Sequence, residues 1–432
     1  MGAESRRGFG VGLAICLLCA LAPAALAADP DAGGLSAPER RRDQFPKEYG
    51  YAIFPYPYRL PGIGSGLSLI AGALNIGDSY TDAYGIVFGG DVKGGAVGLG
   101  DVHLLPRSLI LDIGYSSLSR ASFQSYSQRG MNTGKDDFSI AEVGDSEYFG
   151  GRLTATFFDR RFELYTAWFG SASTLKSIRD NQGNLIIEAQ DPPRSRGHTT
   201  IFGTRLDLTD DYTDPRRGLR LDVTHTQSPP QGSGPDYFVM DYSTTAYVPM
   251  GRRNTFAINL LRSDAFVRRE GETDPAALQQ QLGIDCASLA DPAQQQTCNQ
   301  VINTTVAANQ FGTATQLGGF SRLRSYPQGR FKGAHTLFLG AEYRWNLTDE
   351  ATPFDIFVMK GVRTSIQLAF FYETGVTSDS RDDLYRRSQM RDSYGAGFRI
   401  VTAQGVVFRA DVAHGNEGFN AAIFIGYPWE LQ

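Results

Sequence analysis

The chain has 432 residues, with 49 Gly, 20 Tyr and 27 Phe against 20% charged residues and a formal net charge of −5. Its length would suit roughly three ordinary domains, although a closed barrel absorbs several hundred residues in a single sheet. The acidic balance, with a pI near 5.6, removes an electrostatic case for nucleic acid. A content of 41% apolar residues excludes disorder, and 5 His and 4 Cys that never cluster argue against metal enzymology.

At the N-terminus, Arg6 and Arg7 precede the apolar run Phe9 to Ala22, and Ala25-Leu26-Ala27 offers a small-x-small cleavage site. This is the pattern of a secretory signal peptide over residues 1–27, rather than a retained anchor, because Pro23 and the Ala-rich exit favour cleavage. Residues 28–48 are charged and turn-rich, with Glu39 to Arg42 and Asp43 in sequence, and read as a short periplasmic lead-in. From residue 49 to 432 the chain reads as one membrane barrel.

Beyond residue 28 there is no run of 18 apolar residues, so helical spans are not expected. Segments of about ten residues alternate with period two instead. Ile366, Leu368, Phe370 and Tyr372 share one face, opposite Gln367 and Glu373. Leu337, Leu339, Ala341, Tyr343 and Trp345 oppose Glu342 and Arg344, and Val406, Phe408, Ala410 and Val412 oppose Arg409 and Asp411. Near the C-terminus Phe419, Ala421, Ile423, Ile425, Tyr427 and Trp429 read as one continuous apolar face.

A soluble sandwich shows the same alternation, so the connections decide. Short turns at Asp159-Arg160, Pro249–Arg252 and Ala403-Gln404 alternate with long polar segments at 119–147, 172–197, 267–335 and 376–391. Outer-membrane barrels alternate short periplasmic turns and long extracellular loops in this way. The reading is an all-β transmembrane antiparallel barrel of sixteen strands. The approximate spans are 50–58, 64–74, 81–89, 94–103, 107–118, 148–158, 161–171, 198–209, 218–227, 236–248, 253–266, 336–345, 364–375, 392–402, 405–414 and 418–428. The first is the weakest, since Pro55 and Pro57 mark either a poorly paired edge strand or an extension of the lead-in. No helical period is expected elsewhere. Cys286 and Cys298 lie in the polar segment 267–335 with no His near enough for a metal pair. In an oxidising compartment they read as a loop disulfide worth ~3 kcal/mol.

The segment 311–347 carries the most specific pattern: Leu317-Gly318-Gly319, then Leu323-Arg324-Ser325-Tyr326, then Ala341-Glu342-Tyr343-Arg344. Phe370-Phe371-Tyr372-Glu373-Thr374-Gly375, Tyr394 to Arg399, Asp211 with Asp214-Pro215-Arg216-Arg217-Gly218, and Ile423 to Trp429 extend it. Here the chain resembles the BamA/TamA-like outer-membrane assembly and translocation superfamily, the bacterial surface antigen barrels. The resemblance is strong from about residue 198 to the end and rests on strand count before that. It departs at Ser325, where the family has Gly, at Glu373, where it has Asp, and in lacking the periplasmic POTRA modules that capture clients.

Strand parity sets Glu342 and Glu373 on lumen-facing sides. A loop arginine folded inside needs such partners, because an unpaired buried charge costs several kcal/mol. The resemblance implies the same: loop 267–335 folds into the lumen as a plug, with Arg324 locked to Glu342 and Glu373. Its motif residues would be Gly318, Gly319, Leu323, Ser325 and Tyr326.

Other constellations are weak. The Gly-rich stretches 62–66 and 89–100 read as kinks in a curved sheet rather than phosphate loops. His103, His198, His225, His335 and His414 lack a placed Ser or acidic neighbour, so neither an enzyme nor a cofactor is expected. The resulting expectation is a bacterial outer-membrane barrel acting in protein or lipid insertion or translocation without chemical catalysis. A lateral seam between the first and last strands would be its weakest pairing. Partners would be outer-membrane lipids, unfolded outer-membrane protein clients or a periplasmic chain, and not nucleic acid. A small-solute pore and a structural surface antigen are the alternatives.

Overall fold

The computed structural model describes residues 37–45, 48–188, 194–230, 233–348, 353–356, 359–402 and 406–429. The cleavage-site reading at Ala25 and Ala27 lies outside these residues. The strands in chain order are β1 (Gly50–Leu60), β2 (Gly64–Leu74), β3 (Asp82–Gly90), β4 (Lys93–Leu105), β5 (Leu109–Tyr126), β6 (Phe138–Phe157), β7 (Phe162–Arg179), β8 (Leu185–Glu188) and β9 (Ser195–Thr209). They continue with β10 (Gly218–Ser228), β11 (Asp236–Met250), β12 (Asn254–Arg269), β13 (His335–Asn346), β14 (Pro353–Ile356), β15 (Met359–Ser378), β16 (Arg391–Thr402), β17 (Val407–Gly415) and β18 (Gly418–Ile425). β8 and β14 are short additions to the ends of β7 and β15. The other sixteen form a closed antiparallel barrel, each paired with its neighbour in sequence. No described helix is long and apolar enough to cross a membrane.

The wall has two chemically distinct faces. Ile53, Leu67, Val87, Trp168, Tyr242, Trp345, Phe370, Phe398 and Val412 are exposed on the outside, the apolar and aromatic band that lipid requires. Inside, Arg205, Asp207, Arg220, Asp222, Asn259, Glu342, Gln367, Arg399 and Asp411 are buried. Burying such groups requires partners for all of them, and this requirement shapes the site described below.

The strands overrun the expected spans. β5, β6 and β7 have 18, 20 and 18 residues, so most of the expected loops 119–147 and 172–197 is strand. Beyond the lipid band both faces meet water, and period two fades although backbone pairing continues. Ser116-Ser117-Leu118-Ser119-Arg120 shows this, pairing on with β6 from Tyr148 to Gly144.

The segment 270–334 also departs from expectation, because it contains two helices, α1 (Pro275–Leu282) and α2 (Pro292–Phe311). Their start signals are local: Asp274 and Asp291 accept from the backbone N–H of Ala276 and Ala293, each with Pro in the first turn. The α2 sequence AQQQTCNQVINTTVAANQ is mostly polar, and its apolar face is reduced to the narrow stripe Cys298, Ile302 and Val306, a faint signal for a helix. The disulfide Cys286–Cys298 ties α2 to the turn before it, within a small cluster with Leu278 and Ile302.

Barrel closure is the exception to regular pairing. β17 and β18 pair from Phe408↔Ile425 to Gly415↔Gly418. β1, by contrast, meets β18 through the pair Arg59↔Ile423 and reaches β15 at Tyr51↔Lys360 and Ala52↔Met359. β1 itself is a true strand, in register with β2 through Pro55 and Pro57. The N–H donors those prolines lack are therefore missing from the edge facing β18.

The register also shows how the ends lie. Phe54, on the inward face of β1, stacks edge-on against Phe408, which points outward from β17. The Tyr56 hydroxyl donates to the carbonyls of Arg409 and Phe424. At the turn end, β1–β3 therefore overlap the outside of β15–β18, as in a scroll.

Replacing both Cys286 and Cys298 by Ser should speed amide exchange across α2 by about 100-fold, the equivalent of ~3 kcal/mol. Exchange in β13 and β15 should stay unchanged; equal exchange in α2 of both proteins would show that the bridge contributes nothing.

Candidate functional site

The site is built where the chain leaves α2 and returns to β13. Leu317 and Phe331 form an isolated bridge that closes the intervening residues into a compact tip. Gly318 and Gly319 adopt φ of +103° and +107°. A Cβ on Gly318 would meet the Pro327 carbonyl at 2.2 Å, so no other residue fits. The tip is held by hydrogen bonds from Gly318 N–H to Arg322 O (3.0 Å), Gly319 N–H to Tyr326 O (2.8 Å) and Tyr326 N–H to Leu323 O (3.0 Å). Leu323 takes the left-handed turn at φ +51°, whereas Ser325 does not. This is why serine is accommodated where the resembled family has glycine. Ser325 N–H instead donates to Ser393 Oγ at 2.9 Å.

Arg324 lies at the centre, with no exposed side-chain surface. Its backbone N–H and Nε donate to the two oxygens of Glu373 at 2.9 and 3.0 Å. One terminal nitrogen reaches Asp411 at 2.9 Å, the other Glu342 at 3.1 Å. The guanidinium stacks 3.4 Å from the centroid of the Phe371 ring. Glu342 also receives Arg399 at 2.7 and 2.5 Å and Arg344 at 2.9 Å, while Arg409 adds a bond to Asp411 at 3.4 Å. Three carboxylates from β13, β15 and β17 are thus interleaved with four guanidiniums, and the fork geometry of arginine lets each serve more than one partner. Glu373 uses its extra methylene to engage both Arg324 and the Trp429 indole N–H (2.9 Å).

The structure therefore brings Arg324, Glu342 and Glu373 together. Gly318, Gly319, Leu323, Ser325 and Tyr326 form the tip that presents the arginine. Sequence reasoning missed Asp411 and Arg399, although both share the parity of the charged inner face and were legible by that signal. It also missed Arg330, which pairs with Glu417 at 2.7 Å and donates to the Thr133 carbonyl at 2.8 Å. No local pattern marks Arg330 as buried.

The expected C-terminal apolar face ends early. Gly426 turns at φ +113° and Trp429 at +70°, sending Tyr427 and Trp429 inward, where both are buried. The Tyr427 hydroxyl bonds Asp214 at 2.8 Å. His335, expected to lack an acidic neighbour, has one: its Nδ1 lies 2.7 Å from Asp264, which also pairs with Arg262 at 2.6 Å. This is an ion-pair cluster at the loop end. Among the described residues no group of His, Cys, Asp and Glu is arranged to hold a metal ion.

At the turn end the lead-in is clasped to the Asp211–Gly218 turn. Arg40 pairs with Asp207 at 3.3 Å, Arg41 with Asp214 at 3.5 Å and Arg42 with Asp211 at 2.5 Å. Gly218 is required there, since a Cβ would meet the Leu208 carbonyl at 2.1 Å. Burial works against the charge of Asp214, but Arg216 and Arg41 outweigh it and hold its carboxyl below the usual range.

Replacing Arg324 by Ala strands Glu373 and Asp411 with fewer cations and should cost about 3–5 kcal/mol, read as a lower thermal midpoint of the folded barrel. Glu373→Gln should cost less, and the double variant less than the sum of the two. Strict additivity would show that the pair does not act as a unit.

The Omp85 superfamily domain matches residues 107–417. Among solved structures, CdiB from Escherichia coli is similar at 11% identity, covering 88% of this chain and 62% of its own, with a TM-score of 0.50. BamA from Haemophilus ducreyi lacking POTRA domains 1-3 is 11% identical, with 87% and 70% covered and a TM-score of 0.45. The chain thus spans less than two thirds of the length of CdiB, and likeness at this level concerns the barrel fold alone. No curated protein matches the sequence. No POTRA module is evident among the described residues. With the family domain extending over most of the barrel, the chain belongs to the Omp85 superfamily of bacterial outer-membrane proteins.

Proposed function

We propose that this barrel assists the insertion or translocation of proteins, or of lipids, at the outer membrane, without chemical catalysis. The observation that carries this reading is the seam. Every other strand of the wall pairs along its length with the next, whereas β1 and β18 meet at Arg59↔Ile423. Unpaired strand edges recruit other strands, so this is where a client strand would be templated. Segment 312–334 within loop 267–335 acts as a plug, and Arg324 is its anchor to Glu342, Glu373 and Asp411. The network braces β13–β17 from inside, so motion is confined to the β1 side of the seam. Clients or a periplasmic chain would approach from the turn end, beside the lead-in 37–45.

A small-solute pore is the second reading. It is favoured by a chamber of about 470 Å³ between the plug segment and the inner faces of β9–β11, lined by Thr199, Thr224, Asp241, Thr315 and Arg322. A further space of about 580 Å³ at the loop end is lined by Arg59, Arg120 and Gln124.

The test is the folding rate of an unrelated outer-membrane protein in liposomes that contain the mature barrel. Arg324→Ala and a seam-locked Arg59→Cys/Ile423→Cys variant run in parallel. Facing residues of an antiparallel pair lie within disulfide reach. The expected result is acceleration by the native barrel, weaker in Arg324→Ala, abolished by the seam lock and restored by reductant. Reductant on the native barrel controls for Cys286–Cys298. Acceleration that survives the lock would remove the seam from the mechanism. No acceleration, with solute uptake persisting in the locked barrel, would establish the pore instead.

A further inference from the structure

The overlap of the barrel's two ends encloses a cavity of about 260 Å³. One wall is the inward face of the first strands, with Phe54, Ile70 and Ile86; the other is the outward face of the last strands, with Val362, Phe408 and Ile425. The assignment of faces follows from parity. Ile53, Leu67, Leu69 and Val87 alternate with the first set and are exposed. Phe370 and Val412 share the face of Val362 and Phe408 and are likewise exposed. The cavity is therefore a gap between two layers of wall, and both of its rims continue into the lipid-facing surface.

Asp82, whose carboxylate accepts from the Asn75 backbone N–H at 2.8 Å, and Thr402 lie at its turn-end margin. The rest of the lining is largely apolar, which makes water a poor filling. Apolar cavities of this order stay dry and take up apolar molecules. Left empty, their lining forfeits the dispersion contacts that close packing provides. The residues lining it sit at the turn-end halves of their strands: Ala52 opens β1, Leu74 closes β2, Thr402 closes β16 and Ile425 closes β18. Short turns mark the periplasmic side, so the gap lies at the depth of the periplasmic leaflet.

We propose that this gap is a binding site for one acyl chain of a periplasmic-leaflet phospholipid, inserted between β1–β3 and β15–β18. The chain supplies the apolar contacts that a regular ladder between β1 and β18 would otherwise make unnecessary, and it holds the first hairpin off the last strand. A lipid is thereby a structural component of the seam. The inference needs only the membrane location of the barrel and holds whether or not the protein inserts clients.

The experiment uses the full barrel in phosphatidylcholine vesicles that contain a phospholipid with a diazirine in its acyl chain. Photolysis is followed by mapping of the adducts. Adducts are expected at Phe54, Ile70 and Phe408 as well as at the outer residues Leu69 and Phe370. Gly72→Leu fills the gap from β2, where a Cβ meets nothing closer than the Ala83 carbonyl at 3.7 Å. It should abolish the first set and leave the second. Ala52→Leu fills it from β1 and serves if the first variant fails to fold. Adducts confined to Leu69 and Phe370 in the native barrel would overturn the proposal, as would adducts at Phe54 and Phe408 that persist in a folded filled variant.

Discussion

A guanidinium withdrawn from water needs enough anionic oxygen around it to replace its hydration, and the interior of this barrel is organised by that need at Arg324. The tip 317–331 buries a charge that is tolerable only because Glu342, Glu373 and Asp411 converge on it from three separate strands. Glu342 in turn depends on Arg344 and Arg399 and Asp411 on Arg409, while Glu373 is held by Arg324 itself and the Trp429 indole N–H. The cluster is therefore cooperative in a strict sense: no member has an adequate environment until the others are in place. One loop residue consequently ties β13, β15 and β17 together from within and, through Glu373 and Trp429, secures the chain's C-terminal turn.

The same strands that are braced on the inside are covered on the outside by β1–β3. The contrast in what holds the two ends of the sheet follows from residue type. β17 and β18 are unbroken by Pro and pair throughout, while β1 has Pro55 and Pro57 at one parity and leaves its free edge short of donors. Without a ladder to zip, the first hairpin lies across the last strands on apolar side chains such as Phe54 and Phe408. Side-chain contact is weaker per residue and less directional than backbone pairing, so the closure is the part of the wall where change costs least.

Much of the site was legible because a strand alternates with period two. Glu342 and Glu373 fall on the charged side of otherwise apolar strands, so their inward direction follows from counting. Asp411 and Arg399 obey the same rule, and Arg399 also ends the Tyr394–Arg399 motif, yet neither parity nor motif shows that these two side chains converge on the Arg324 cluster. Tyr427 and Trp429 were misassigned for the converse reason, because alternation was extended past Gly426, whose positive φ ends the strand. The α2 helix is hard to read because its apolar stripe is only Cys298, Ile302 and Val306 in an otherwise polar segment, although Asp291-Pro292 marks its start. The overlong β5, β6 and β7 escaped because pairing outside lipid no longer demands alternation.

By itself, then, the sequence determined the all-β architecture, the sixteen staves, the inward direction of the acidic side chains and the loop that carries the arginine. All of these follow from periodicity and turn chemistry, which are local. Which carboxylates meet Arg324, how far the strands run beyond the lipid band, and that the ends of the sheet overlap instead of zipping were decided by the tertiary structure. Those outcomes depend on residues such as Arg324 and Asp411, or Phe54 and Phe408, that lie far apart in the chain and are related only by how the sheet curls. No local pattern encodes the curvature of a closed sheet, which is the sum of many small twists and of the charges it must satisfy inside.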